Sequence, residues 1–303
     1  MKHFLDLTDW SSQDLRYLIR LAQQLKLEWH SGGNRPVLAG KTLGMIFQKP
    51  SLRTRVSFDV GMQHLGGHAI MLGPEEIGLG KRESIADVAR VLSSMTQGIM
   101  ARVFAHSHVT ELAKWSRVPV INGLSDDSHP CQAMADILTI VEHFGYTDGL
   151  RLAYIGDGNN IAMSLLRACA AFGIHYRIAS PEGYELPARI VAEVSASHPA
   201  LHIDLLRSPA DAVQAADIIY TDTWVSMGQE DEAAARVPAF QGYRVDADLV
   251  ARAEKHTIVM HDLPAYRGKE ITDDVADGPQ SVIFAQAENR LHAQKAILVS
   301  LLS

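Results

Sequence analysis

Short apolar runs separated by amphipathic stretches organise most of the chain. Ser11-Ser12-Gln13-Asp14 reads as a capping box ahead of a first helix from Leu15 to about Trp29, stopped by Ser31-Gly32-Gly33. Apolar runs of strand length then fall at Thr42–Phe47, His68–Leu72, Gly98–Phe104 and Pro119–Leu124. Between them, helical periodicity predicts helices over Val56–Leu65, Ser84–Thr96 and Val109–Ser116. A long helix, Pro130–Phe144, ends at Gly145. A second series of runs follows at Arg151–Ile155, His175–Ala179, His202–Leu206, Asp217–Tyr220 and Thr257–His261, with helices over Asn160–Phe172, Ala188–Ser197 and Ala247–Glu254. Glu288–Leu302 is predicted as the last helix. Strand alternating with helix is the signature of a parallel sheet covered by helices. The expected fold is therefore α/β with two domains, each a parallel sheet flanked by helices, linked by two interdomain helices. The first spans residues 1–135 and is completed by the C-terminal helix 286–303; the second spans residues 148–285.

Composition narrows the class. The 303 residues suffice for two domains with their own cores, and 47% hydrophobic with 21% charged residues is ordinary for a globular protein. A formal net charge of −7 argues against sequence-independent nucleic-acid binding, which needs a basic face. No apolar run approaches the roughly 20 residues a bilayer requires. The opening MKHFLDLTDW lacks the charged-then-apolar pattern of a signal peptide, so residence in the cytoplasm is expected. Cys131 and Cys169 sit in apolar helical stretches without metal-ligand spacing.

Open parallel sheets bind ligands beyond the carboxyl ends of their strands, and the chain's unusual motifs fall there. Ser51-Leu52-Arg53-Thr54-Arg55 follows the first strand and opens a helix, where free backbone N–H groups, hydroxyls and guanidinium forks suit a phosphate. A capped helix with solvated arginines is the plainer alternative. His129-Pro130-Cys131-Gln132 opens the long helix, with an imidazole and an amide able to polarise a carbonyl oxygen. Gly156-Asp157-Gly158-Asn159-Asn160 resembles a dinucleotide fingerprint. Ile161 stands where its third glycine belongs, and Ser180-Pro181 follow the next strand where an acidic residue would bind ribose. Amide side chains gripping an amino acid are the better reading. Asp222-Thr223-Trp224-Val225-Ser226-Met227-Gly228 places a carboxylate after a strand, suited to an ammonium group.

These segments resemble the aspartate and ornithine carbamoyltransferase family over nearly the whole chain, and the 222–228 segment resembles its ornithine branch. The resemblance implies transfer of a carbamoyl group from carbamoyl phosphate to the side-chain amine of L-ornithine, giving L-citrulline and phosphate. It implies that Ser51, Leu52, Arg53, Thr54, Arg102, His129, Gln132, Leu263 and Arg290 bind carbamoyl phosphate, with His129 and Gln132 holding the carbamoyl oxygen and nitrogen. Leu124, Asn160, Asp222, Ser226, Met227, Asp262 and Leu263 are implied at the ornithine site, and Arg53, Arg102, His129 and Asp262 as catalytic. It further implies two substrates meeting across a cleft, a mobile lid from Ser226 to about Phe240, and a homotrimer. Neither a metal nor a cofactor is expected for this chemistry.

Three positions depart from the family pattern. Leu52 stands where Thr is common, which leaves only the backbone of that residue as a donor. Gly78 replaces a Gln near the loop Gly73–Lys81, where Lys81 or Arg82 could substitute. Asp262 replaces the Cys of His-Cys-Leu-Pro, and its carboxylate either faces the reacting amine or turns toward Tyr266, Arg267 or Lys269. Asp262 also keeps open another acceptor, such as putrescine, lysine or an acylated ornithine, or a non-catalytic paralogue.

Overall fold

Nine parallel strands carry the architecture in a computed structural model that describes residues 2–226 and 228–303. The chain divides into two compact units, residues up to 138 with 288–303 and residues 139–287.

In the first unit the strands are β1 (Thr42–Phe47), β2 (His68–Leu72), β3 (Gly98–Arg102) and β4 (Val120–Leu124). They form one parallel sheet in the order β2-β1-β3-β4. The register aligns Phe47 with Arg102 and Arg102 with Leu124, so these three strands end level with one another. Ile46, Ile99, Ala101 and Val120 pack with Val88, Val109 and Leu112 from two helices into a buried core. Truncating a leucine or isoleucine of this core to Ala would cost about 2–5 kcal/mol.

The second unit contains β5 (Arg151–Ile155), β6 (His175–Ala179), β7 (Ile203–Leu206), β8 (Ile218–Thr221) and β9 (Ile258–His261). Their order is β7-β6-β5-β8-β9, again all parallel. Ile155, Thr221 and His261 end adjacent strands in register. The core gathers Ala153, Ile155, Ile219, Val259 and Ile271. In both sheets the strand order reverses once, between β1 and β3 and between β5 and β8. Chain connections leave such a point in opposite directions, and a crevice opens there beyond the carboxyl ends of the strands.

The Pro130–Phe144 and Ile283–Leu302 helices each contribute residues to both units. Several boundaries differ from those expected. The helix after β1 starts at Leu52 rather than Val56, because Ser51 caps it by accepting from the Thr54 N–H at 3.3 Å. The last helix starts at Ile283, five residues before Glu288. Residues Ala247–Val250 form only one turn. A helix at Ala233–Ala239 occupies part of the stretch expected to be a mobile lid, and Trp224 is 7% exposed and stacked on Phe240. Among the described residues no helix is long and apolar enough to cross a membrane.

Candidate active site

In the first unit the reversal point is lined with positive charge. Arg102 ends β3 and is 8% exposed, and the 51–54 segment follows its neighbour β1. Ser51 Oγ lies 3.1 Å from Thr54 Oγ1, which also accepts from Arg290 Nη2 at 2.9 Å. The guanidinium of Arg290 is thereby brought from the last helix to the start of the Leu52–His64 helix. Arg290 is 2% exposed, and that hydroxyl is its partner among the described residues; its Nε is buried with none. A buried cation without a carboxylate is costly, and an anionic ligand would remove the cost. Leu52 turns its side chain to solvent, so only its backbone N–H at the helix start is available to a ligand.

His129 immediately precedes the Pro130–Phe144 helix and is 1% exposed. Burial, followed by the charges of Arg290, Arg102 and Arg53, holds its imidazole well below the usual histidine range. Those causes bring all three guanidinium groups within electrostatic reach of the imidazole. The neutral ring can donate a hydrogen bond to a carbonyl oxygen without bringing a fourth positive charge. Gln132, one turn on, donates from Nε2 to Asp136 Oδ1 at 2.8 Å. Its Oε1 is buried with no partner among the described residues, so it is free to accept from an amide NH2. Between them, Cys131 has its thiol pushed up to about 12 by burial, which removes it as a nucleophile.

In the second unit the reversal point is acidic. Asn159, following β5, caps the Asn160–Phe172 helix through Oδ1 and donates from Nδ2 to Asp222 Oδ2 at 3.0 Å. Asp222, at the end of β8, is 7% exposed. Burial, then the neighbouring Asp262 carboxylate, raises its pKa to about 7; His261, the Thr223 N–H and Asn159 pull it down. Asp262 is thus near enough to Asp222 to be its chief like charge, while Arg267 is engaged by Asp273 and Asp277. Asn160, expected at the ornithine site, is half-buried at the helix start, and the preceding Asn159 is the residue that holds Asp222.

Other supports were not legible in the sequence. His261 Nε2 lies 3.1 Å from Glu270 Oε1, and its Nδ1 accepts from the Leu263 N–H at 2.8 Å. That pair holds Leu263 at a positive φ of 60°, followed by a cis peptide to Pro264. The His261 N–H donates to Gln286 Oε1 at 2.9 Å. Arg236, on the unexpected helix, donates to Asp157 Oδ2 at 2.6 Å and to Glu232 Oε2 at 2.7 Å, with its guanidinium over the Tyr184 ring. Ser226 is half-buried and bonds through its backbone to Gln229. Met227 lies outside the described residues.

An arginine-rich end suited to an anion on one parallel sheet and an acidic, amide-lined end on another are the features of an α/β enzyme. The family follows from comparison with known proteins. Residues 2–142 match the carbamoyl-P binding domain of the aspartate/ornithine carbamoyltransferases, and residues 148–301 match their Asp/Orn binding domain. An ornithine carbamoyltransferase of Anoxybacillus flavithermus is 51% identical over 303 residues, covering 99% of this chain and 96% of the relative. The solved ornithine carbamoyltransferase of Pyrococcus furiosus superposes with a TM-score of 0.96 at 48% identity, over 99% of this chain and 97% of that one. The Thermus thermophilus enzyme gives 0.91 at 40% identity, over 100% and 99%. The chain belongs to the aspartate/ornithine carbamoyltransferase family.

Proposed function

We propose that the chain transfers the carbamoyl group of carbamoyl phosphate to the side-chain amine of L-ornithine, releasing L-citrulline and phosphate. The observation that carries this reading is Arg290, a buried guanidinium with a hydroxyl partner, grouped with Arg53 and Arg102 around a neutral His129. Relatives named ornithine carbamoyltransferase, one of them called anabolic, support ornithine as the acceptor.

Carbamoyl phosphate presents a phosphate, a carbonyl oxygen and an amide nitrogen. Ser51, Thr54, Arg53, Arg102, Arg290 and the N–H groups of Leu52 and Arg53 suit the phosphate; His129 suits the carbonyl oxygen and Gln132 Oε1 the amide N–H. Asp222 in its ionised form suits the α-ammonium of ornithine, with Asn159 holding its carboxylate and Asn160 and Ser226 as further contacts for the amino acid. The Leu263 carbonyl and residue 262 suit the reacting amine. The neutral amine attacks the carbamoyl carbon and a C–N bond forms. Negative charge passes to the carbonyl oxygen, where His129 and the arginines stabilise it, and then to the departing phosphate as the C–O bond breaks. The proton shed by the new C–N nitrogen leaves with the departing phosphate. Orientation and preorganised donors supply most of the acceleration. A homotrimeric assembly and a cytoplasmic location complete the proposal, supported respectively by the family likeness of Gly73–Arg90 and by two buried free thiols.

Asp262 favours a second reading, in which the acceptor is a different amine. Both are tested by carbamoyl phosphate consumption against ornithine, putrescine, lysine and an acylated ornithine. Citrulline formation with the highest kcat/KM supports ornithine. Faster turnover of another amine replaces it, and no turnover with any amine supports a non-catalytic paralogue. In the same assay Arg53→Ala should abolish activity while the far-ultraviolet spectrum stays unchanged.

A further inference from the structure

Within the first unit, away from the arginine cluster, three side chains of metal-ligand type converge. His30 is the last residue of the Ser12–His30 helix, and Glu288 and His292 lie one turn apart on the Ile283–Leu302 helix. Glu288 Oε1 is 3.6 Å from His292 Nε2 and 4.0 Å from His30 Nε2, and one donor atom from each residue lies within 4.8 Å of the others.

The three are not equivalent. The His292 side chain is 1% exposed and fixed by packing, whereas His30 and Glu288 are 59% and 53% exposed and free to adjust. His292 turns Nε2 toward Glu288, while its Nδ1 is buried with no hydrogen-bond partner among the described residues, so the ring presents Nε2 as its donor to the cluster.

We propose that His30, Glu288 and His292 form a site for a divalent transition metal of the zinc class, with solvent in the fourth position. Tetrahedral zinc with bonds of about 2.0–2.1 Å sets its donor atoms roughly 3.3 Å apart. The observed separations exceed that by an ångström or so, within reach of rotamer adjustments in two exposed side chains. Two imidazoles and one carboxylate select zinc, cobalt, nickel or copper over magnesium or calcium, which prefer all-oxygen shells. Lys26 and Lys295 oppose a dication, but Lys26 is turned to Asn289 Oδ1 and Lys295 to Asn34 Oδ1, and burial lowers Lys295 to about 8. An ion here would tie the end of the first helix to the helix that carries Arg290, stiffening the frame of the anion site without touching its chemistry.

The test uses the full chain, stripped with a chelator and titrated with cobalt(II) alone. One equivalent should bind, with the intense visible ligand-field bands of a four-coordinate ion, and zinc should displace it. His30→Asn and Glu288→Gln change exposed side chains and should fold normally, each weakening cobalt binding by at least about tenfold. Zinc should raise the melting temperature of the parent protein and not of His30→Asn, whose turnover without metal should match the parent's. Failure to bind cobalt at millimolar concentration would overturn the proposal, as would binding that survives either substitution unchanged.

Discussion

Replacing Arg290 by methionine should make the ligand-free protein more stable and the liganded protein useless. Methionine keeps an unbranched stem of similar reach and deletes the charge. Arg290 is 98% buried by its residual exposure of 2%, has Thr54 Oγ1 as its partner, and shares its surroundings with Arg53 and Arg102. Replacement of a buried, poorly compensated charge by an apolar side chain typically stabilises by about 1–4 kcal/mol. Part of that gain is lost because Thr54 loses its donor, at about 1 kcal/mol. The net expectation is a gain of up to about 3 kcal/mol in the absence of anions. Carbamoyl phosphate loses a charge-assisted contact in a dehydrated site, worth about 2–4 kcal/mol or roughly a 30- to 700-fold weaker Kd. Urea denaturation with and without phosphate or carbamoyl phosphate measures both quantities in one experiment. The parent should gain much stability from the anion and the variant little. A variant less stable than the parent without anion, yet stabilised equally by it, would show that Arg290 is a structural cation and refute the argument.

Asp262→Asn removes the charge that helps hold Asp222 near 7, so the acid limb of kcat/KM for ornithine should move to lower pH; identical limbs would place the two carboxylates too far apart to interact. The sign for stability is the reverse of the usual carboxylate case. Because the folded pKa of Asp222 lies above its ordinary 3.8, its contribution is present below about pH 4 and is lost as pH rises through about 7, which pH-dependent unfolding of the parent and of Asp222→Asn should reveal as a difference between pH 4 and 8. Asn159→Ala should weaken ornithine by about tenfold or more through a misplaced Asp222, leaving phosphate binding unchanged in calorimetry. Arg236→Met should free the Ala233–Ala239 helix from Asp157, raising proteolysis in that segment and the KM for ornithine; unaltered cleavage would mean that the Trp224–Phe240 stack alone holds it.

What could be read from the sequence was whatever depends on local pattern. The strands were legible because each is an apolar run bounded by polar or glycine residues, and the carboxyl-end motifs because they interrupt that pattern at fixed places. The start of the helix at Leu52 was obscured by Arg53-Thr54-Arg55, which breaks apolar periodicity for the sake of charge, although Ser51 carried the cap. Ala233–Ala239 shows neither periodicity nor a cap and contains Pro238; Arg236 reaching Asp157 holds it, a contact between residues 79 positions apart. Likewise Asn159 and Asn160 are equivalent on paper, and only the turn decides which amide reaches Asp222. His261 with Glu270 and Gln286 could not be found by spacing, because each depends on where β9 ends.

The first unit is discontinuous, closed by residues 288–303 after the whole of the second has been traversed. On a ribosome, Ser51, Arg53, Thr54, Arg102 and His129 therefore emerge early, and Arg290 only after the second unit's last residue. A nascent or truncated chain that stops before residue 290 lacks the buried guanidinium of the anion site. Competence to bind the phosphorylated substrate is thus a late event in synthesis, and an abandoned fragment would not sequester it.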